Sequence, residues 1–94
     1  MPGFWIKNGT DLKGLKVFVS AYTNGRDDWY DLQDDFKDYE KSHWNRNGWE
    51  VIVVKNPSTG ERRGWYMQTL DAGALECTFM GFDQDLALEL NMDR

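Results

Sequence analysis

Ninety-four residues with 40% hydrophobic and 15% aromatic content fit one domain with one core, and leave too little chain for a second core. Eleven basic against sixteen acidic residues give a net charge of −5, which argues against a nucleic-acid backbone or an acidic membrane as partner, because Lys and Arg supply most of that attraction. The longest apolar stretch, Val51 to Val54, is far short of the roughly 20 residues a spanning helix needs, and the single cysteine excludes an intramolecular disulfide or a zinc site of several thiolates.

The start, Met-Pro-Gly-Phe-Trp-Ile-Lys, lacks the basic-then-apolar pattern of a secretory leader, so the chain is expected to be cytoplasmic unless a leader has been cut away. Phe4 to Lys7 reads as the first strand. Asn8-Gly9 then signals a tight hairpin turn, as do Asn24-Gly25 and Asn47-Gly48, since both residue types tolerate positive φ. Leu15 to Tyr22 is the second strand, with Val17, Val19 and Ala21 on one face and Phe18, Ser20 and Tyr22 on the other. Trp29 to Gln33 is a shorter strand and Tyr39 to Trp44 a polar one. Asp34 to Ser42 carries the one helical spacing, through Phe36, Tyr39 and Lys41.

Gly48 to Lys55 is the strongest strand, because Val51-Ile52-Val53-Val54 is apolar on both faces and belongs at the centre of a sheet. Asn56 to Arg63, with its Asn-Pro-Ser-Thr-Gly turn signal, links it as a hairpin to Gly64 to Leu70, where Trp65 and Met67 share one face and Tyr66 and Leu70 the other. Asp71-Ala72-Gly73-Ala74 marks another turn before Leu75 to Gly81 and Phe82 to Leu90, the last with Leu86, Leu88 and Leu90 alternating against Ala87 and Glu89. Together these predict an all-β single domain over residues 1–94. The expected architecture is an antiparallel β-sandwich or small barrel of about eight short strands, with at most one short helix.

Few residues suggest chemistry. Cys77 alternates with Leu75 and Phe79, the setting of a buried structural thiol. Asp27, Asp28, Asp31, Asp34, Asp35, Asp38 and Glu40 put seven of sixteen acids into a 14-residue stretch. The stretch lacks the glycine and the terminal glutamate of an EF-hand loop, so a solvated acidic loop beside an edge strand is expected rather than a calcium site. His43 is the lone histidine, with Arg46 and Glu50 nearby in sequence, and no nucleophile elbow or phosphate loop accompanies it. The chain is therefore expected to be no enzyme and to need no metal or cofactor. Asn8-Gly9-Thr10 fits the N-glycosylation pattern, which matters only for a protein secreted by a eukaryote.

The aromatic residues are the most informative. Five tryptophans, Trp5, Trp29, Trp44, Trp49 and Trp65, are joined by four tyrosines, more than a core of this size readily absorbs. Trp29-Tyr30 follows Arg26-Asp27-Asp28, Trp44 precedes Asn45-Arg46-Asn47, and Trp65-Tyr66 follows Arg62-Arg63, each pairing a stacking plane with hydrogen-bonding groups. Trp49 and Trp65 also open apolar strands and suit the core.

The segments Val17-Phe18-Val19-Ser20, Trp44-Asn45-Arg46-Asn47-Gly48-Trp49-Glu50-Val51, Arg62-Arg63-Gly64-Trp65-Tyr66 and Phe79-Met80-Gly81-Phe82-Asp83 together resemble a group of small proteins of mushroom-type (basidiomycete) fungi. That group shares Phe-Val-Ser, Trp-x-Arg-x-Gly-Trp-Glu and a late Gly-Phe-Asp in this order, and the likeness runs from about Leu15 to Leu86. Where the group has a Pro-Gly turn before its Trp-x-Arg segment, this chain has Asp34-Asp35-Phe36-Lys37-Asp38. The resemblance implies a small fungal β protein, sugar-binding or membrane-active, and carries over no catalytic residue.

The leading expectation is a non-catalytic, lectin-like domain that binds carbohydrate through exposed aromatics, with Trp29, Tyr30, Trp44, Arg46 and Trp65 as ligand-binding residues. One alternative is a cytolysin-like defence protein that binds lipid headgroups through interfacial Trp and Tyr. Another is a homo-oligomeric assembly module whose subunits meet through the same rings.

Overall fold

The computed structural model describes residues 3–22, 28–34, 43–46, 48–68 and 74–91. Eight strands lie among them: β1 (Phe4–Asn8), β2 (Lys16–Val19), β3 (Asp28–Asp31), β4 (His43–Trp44), β5 (Trp49–Lys55), β6 (Arg62–Gln68), β7 (Ala74–Phe79) and β8 (Ala87–Asn91). They form two four-stranded sheets, in the orders β4-β1-β7-β8 and β3-β2-β5-β6. No helix occurs among the described residues, and most of the helical stretch predicted from Asp34 lies outside them, as do Asn24-Gly25 and Asn47.

Each strand turns alternate residues into the space between the sheets. Phe4 and Ile6 of β1 and Leu75, Cys77 and Phe79 of β7 meet Val17 and Val19 of β2 and Ile52 and Val54 of β5 there. Complete burial of one such aliphatic or phenyl side chain stabilises the fold by about 1.5–3 kcal/mol. As its two apolar faces predict, β5 is an inner strand, paired antiparallel with β2 on one side and β6 on the other. The β5–β6 hairpin closes where the sequence signals it: the Gly60 N–H donates to the Asn56 carbonyl at 2.8 Å and the Ser58 N–H to Asn56 Oδ1 at 3.0 Å. Gly60 sits at φ 78°, the left-handed region that glycine enters without a Cβ penalty.

Three features depart from the expected pattern. Neighbouring strands are antiparallel except β1 and β7, which run parallel from Phe4 opposite Leu75 to Asn8 opposite Phe79. Asn8-Gly9 is no hairpin turn: the Gly9 N–H extends that parallel ladder to the Phe79 carbonyl, and the chain then crosses to the second sheet. The Asn8 side chain makes the bend instead, accepting from the Thr10 N–H at 2.9 Å and from the Thr10 hydroxyl at 2.6 Å. Finally, Phe82 to Gln84 form a turn rather than the start of the last strand, which begins at Ala87.

Cys77 is free and completely buried, and burial pushes its thiol up from 9.0 to about 12. The thiol form therefore favours the fold fully below its ordinary ionisation range, and that contribution is lost as pH rises from about 9 towards about 12. A disulfide reagent such as Ellman's is expected to label Cys77 at mildly alkaline pH only at the rate of unfolding, and at once in denaturant. Fast labelling of the native protein would contradict its burial.

Candidate functional site

The outer faces of the two sheets differ. On the first, Trp5 is only 7% exposed and packs against the His43 ring at 4.6 Å, while Glu76 is 4% exposed and pairs with Lys7 at 2.9 Å. On the second, Trp29, Trp49 and Tyr66 are 39%, 48% and 64% exposed. Exposed aromatic area gathered on one sheet face is a mark of a binding surface, whereas scattered exposed rings need no explanation.

Register gathers them. With Val17 and Val19 inward, Phe18 of β2 points outward beside Trp29 of β3 and Val53 of β5; with Ile52 and Val54 inward, Trp49, Val51, Val53 and Lys55 point outward. Tyr66 lies opposite Val51 and Gly64 opposite Val53 on β6. The Trp49 and Tyr66 rings stack with centroids 5.2 Å apart at 26°, and Phe18 and Trp29 lie 5.5 Å apart at 47°. Each such pair adds about 0.5–1.5 kcal/mol beyond burial and limits ring freedom before any ligand arrives. The outermost rings of the two aromatic stations, Trp29 on β3 and Tyr66 on β6, stand three strand spacings or about 15 Å apart across a low floor of Val51, Val53 and Gly64. The Lys55 ammonium lies 4.1 Å from the centre of the Trp29 ring, an exposed cation–π contact worth about 0.5–1 kcal/mol and so readily given up to a ligand.

A buried polar clamp holds this surface from beneath. Glu50, between Trp49 and Val51, points inward and is completely buried. Its Oε1 accepts from the Ser20 hydroxyl at 2.6 Å and from the Tyr22 N–H at 2.9 Å, and the Val51 N–H donates to Ser20 Oγ at 2.8 Å. Arg46, 3% exposed, donates through Nε to the Ser20 carbonyl at 2.8 Å and lies 3.7 Å from Glu50 Oε2. Burial lowers the basicity of Arg46, and the charge of Glu50 opposes that effect. The clamp ties the approach to β5 to the end of β2.

Of the five residues expected to bind ligand, Trp29 alone stands on the open face. Tyr30 is half-buried with its edge to the Trp44 ring at 6.2 Å; Trp44 is 7% exposed and stacked on Phe4 at 6.0 Å. Arg46 belongs to the clamp. Trp65 is half-buried against Phe79 at 6.3 Å, with the Arg63 guanidinium 5.3 Å from its ring centre. Trp49, Tyr66 and Phe18, not among the five, share the open face with Trp29. The signal was available in the alternation of Arg63-Gly64-Trp65-Tyr66-Met67, where an inward Trp65 sends Tyr66 outward.

Other candidates offer less. Asp27 and Asp35 of the acidic stretch lie outside the described residues; Asp31 is engaged by Lys16, and Asp34 accepts from the Gly14 N–H at 3.1 Å. Among the described residues no group of three or more potential metal ligands occurs. An open cleft of about 450 Å³ is lined by Leu12, Glu61, Gly81, Phe82 and Asp83. Its one ring, Phe82, is committed to Phe79 at 5.0 Å, so it offers acids without a free stacking plane.

The architecture and the open face thus define a small two-sheet β domain with an aromatic platform on one sheet. Comparison with protein-family models, curated proteins and solved structures gives no match to this chain. The reading of its function rests on the platform itself.

Proposed function

We propose that this chain is a non-catalytic carbohydrate-recognition domain whose ligand lies across the outer face of the β3-β2-β5-β6 sheet. The observation that supports this reading most is the asymmetry of the sandwich, which covers the outer Trp of one sheet and leaves Trp29, Trp49 and Tyr66 of the other in solvent. Exposed aromatic rings along a sheet suit the apolar faces of sugar rings, and the interval between stations accommodates a chain of several sugars rather than one. Backbone pairing and the Glu50 clamp keep the face rigid, so little ordering is required on binding.

A broad glycan array, followed by titration of intrinsic tryptophan fluorescence, tests the proposal. Hits are expected, with a fluorescence change on sugar addition, and Trp49→Ala or Tyr66→Ala is expected to weaken binding about tenfold each, roughly 1.4 kcal/mol. An array without hits and an unchanged fluorescence spectrum would sink the reading. Liposome co-sedimentation without glycolipid would then favour the lipid-headgroup alternative, and a dimer in light scattering that Trp49→Ala dissolves would favour subunit assembly.

A further inference from the structure

One row of the platform has no part in stacking. Immediately beside the row formed by Trp29, Phe18, Val53 and Gly64, the next outward residues in register across the four strands are Asp31, Lys16, Lys55 and Arg62. Three cations thus sit side by side in a chain whose acids outnumber its bases by sixteen to eleven. Like charges directly opposite one another on adjacent strands repel and destabilise the pairing, and the Lys16–Lys55 and Lys55–Arg62 pairs are both of this kind. Asp31 offsets only the first of them, through its ion pair with Lys16.

The other two cations are available. Lys55 rests over Trp29, a contact that an anion can compete away. Arg62 is exposed and makes no ion pair or hydrogen bond among the described residues, whereas its neighbour Arg63 is engaged by Asp85 at 2.6 Å and by the Gln84 carbonyl at 2.7 Å. On β6 the outward residues run Arg62, Gly64, Tyr66, about 7 Å apart. Gly64 lies between Arg62 and Tyr66, and a Cβ there would come within 3.2 Å of Val53 Cγ2, so no side chain stands between the guanidinium-bearing residue and the tyrosine on that face.

We infer that the ligand of this face is an anionic sugar chain, with carboxylate or sulfate groups held by Arg62 and Lys55 while the rings stack on Tyr66, Trp49 and Trp29. The inference rests on the proposed carbohydrate reading and adds the charge of the ligand to it. A guanidinium fork matches either anion with two parallel hydrogen bonds, which a neutral sugar hydroxyl does not reproduce. The same cations are too few, and the whole chain too acidic, for a nucleic-acid backbone to be the better partner.

Isothermal titration calorimetry with tetragalacturonate, a sulfated heparin-derived tetrasaccharide, neutral cellotetraose and an octathymidylate separates the outcomes. An acidic saccharide is expected to bind at least about tenfold more tightly than cellotetraose. Raising salt from about 50 to about 300 mM, or Arg62→Gln or Lys55→Gln, is expected to remove most of that difference and leave the melting temperature within a few degrees. The ranking of the two acidic saccharides tells carboxylate from sulfate recognition. Cellotetraose binding as tightly as both, with Arg62→Gln without effect, would overturn the inference and leave the carbohydrate reading standing. Absence of binding by every saccharide would overturn both, and octathymidylate binding more tightly than either acidic saccharide would replace the inference with nucleic-acid recognition.

Discussion

Glu50→Leu is expected to lower the unfolding free energy by about 3–5 kcal/mol, the usual range for removing one member of a buried ion pair. Arg46 would keep its bond to the Ser20 carbonyl but lose the charge of Glu50, in a place where water reaches 3% of its surface. Two further groups, the Ser20 hydroxyl and the Tyr22 N–H, would lose their acceptor at the same time. Glu50→Gln, which retains an acceptor oxygen and loses the charge, should fall between wild type and Glu50→Leu. The double variant Arg46→Met with Glu50→Leu should recover much of the loss, since a buried ion pair replaced as a unit by apolar groups is often neutral. Urea denaturation followed by tryptophan fluorescence measures all four proteins. A Glu50→Leu variant within about 1 kcal/mol of wild type would mean that the clamp does not hold the β2–β5 junction.

The clamp also shows where sequence reading stops. Arg46 and Glu50 were notable in sequence only as neighbours of His43; the structure joins them to each other and to Ser20, just past the end of β2 and 30 residues before Glu50. Strands themselves were legible because each carries its own period: Val17 and Val19 on β2, Ile52 and Val54 on β5, Leu75, Cys77 and Phe79 on β7. Direction and partner were not, because pairing β1 in parallel with β7 joins Ile6 to Cys77 and leaves no mark within either segment. Asn8-Gly9 misled for a related reason, since the same dipeptide serves a hairpin and a crossing between sheets. For the site, the surplus of aromatics was readable and its distribution was not. Val51-Ile52-Val53-Val54 is apolar at every position, so only the three-dimensional register reveals that Ile52 faces the core and that Trp49 consequently faces solvent.

Trp65 and Trp49 should therefore behave in opposite ways when replaced by alanine. Trp65 packs its ring against Phe79 between the sheets and, though half-buried rather than sealed, leaves a void that neighbouring strands cannot close without moving; its loss is expected to cost about 3 kcal/mol of stability. Sugar affinity, measured well below the melting transition, should change little. Trp49→Ala should reverse the pattern, with stability reduced by less than about 1 kcal/mol because the ring is 48% exposed, and with the affinity loss already described. Trp65→Phe sharpens the comparison. The Trp65 indole N–H is buried with no acceptor among the described residues, so phenylalanine keeps most of the packing, removes an unsatisfied donor, and should be far milder than alanine. Chemical denaturation and calorimetric titration on the same three variants settle the matter: if Trp65→Ala abolishes binding in a protein as stable as wild type, the ligand enters between the sheets and the outer platform is the wrong face.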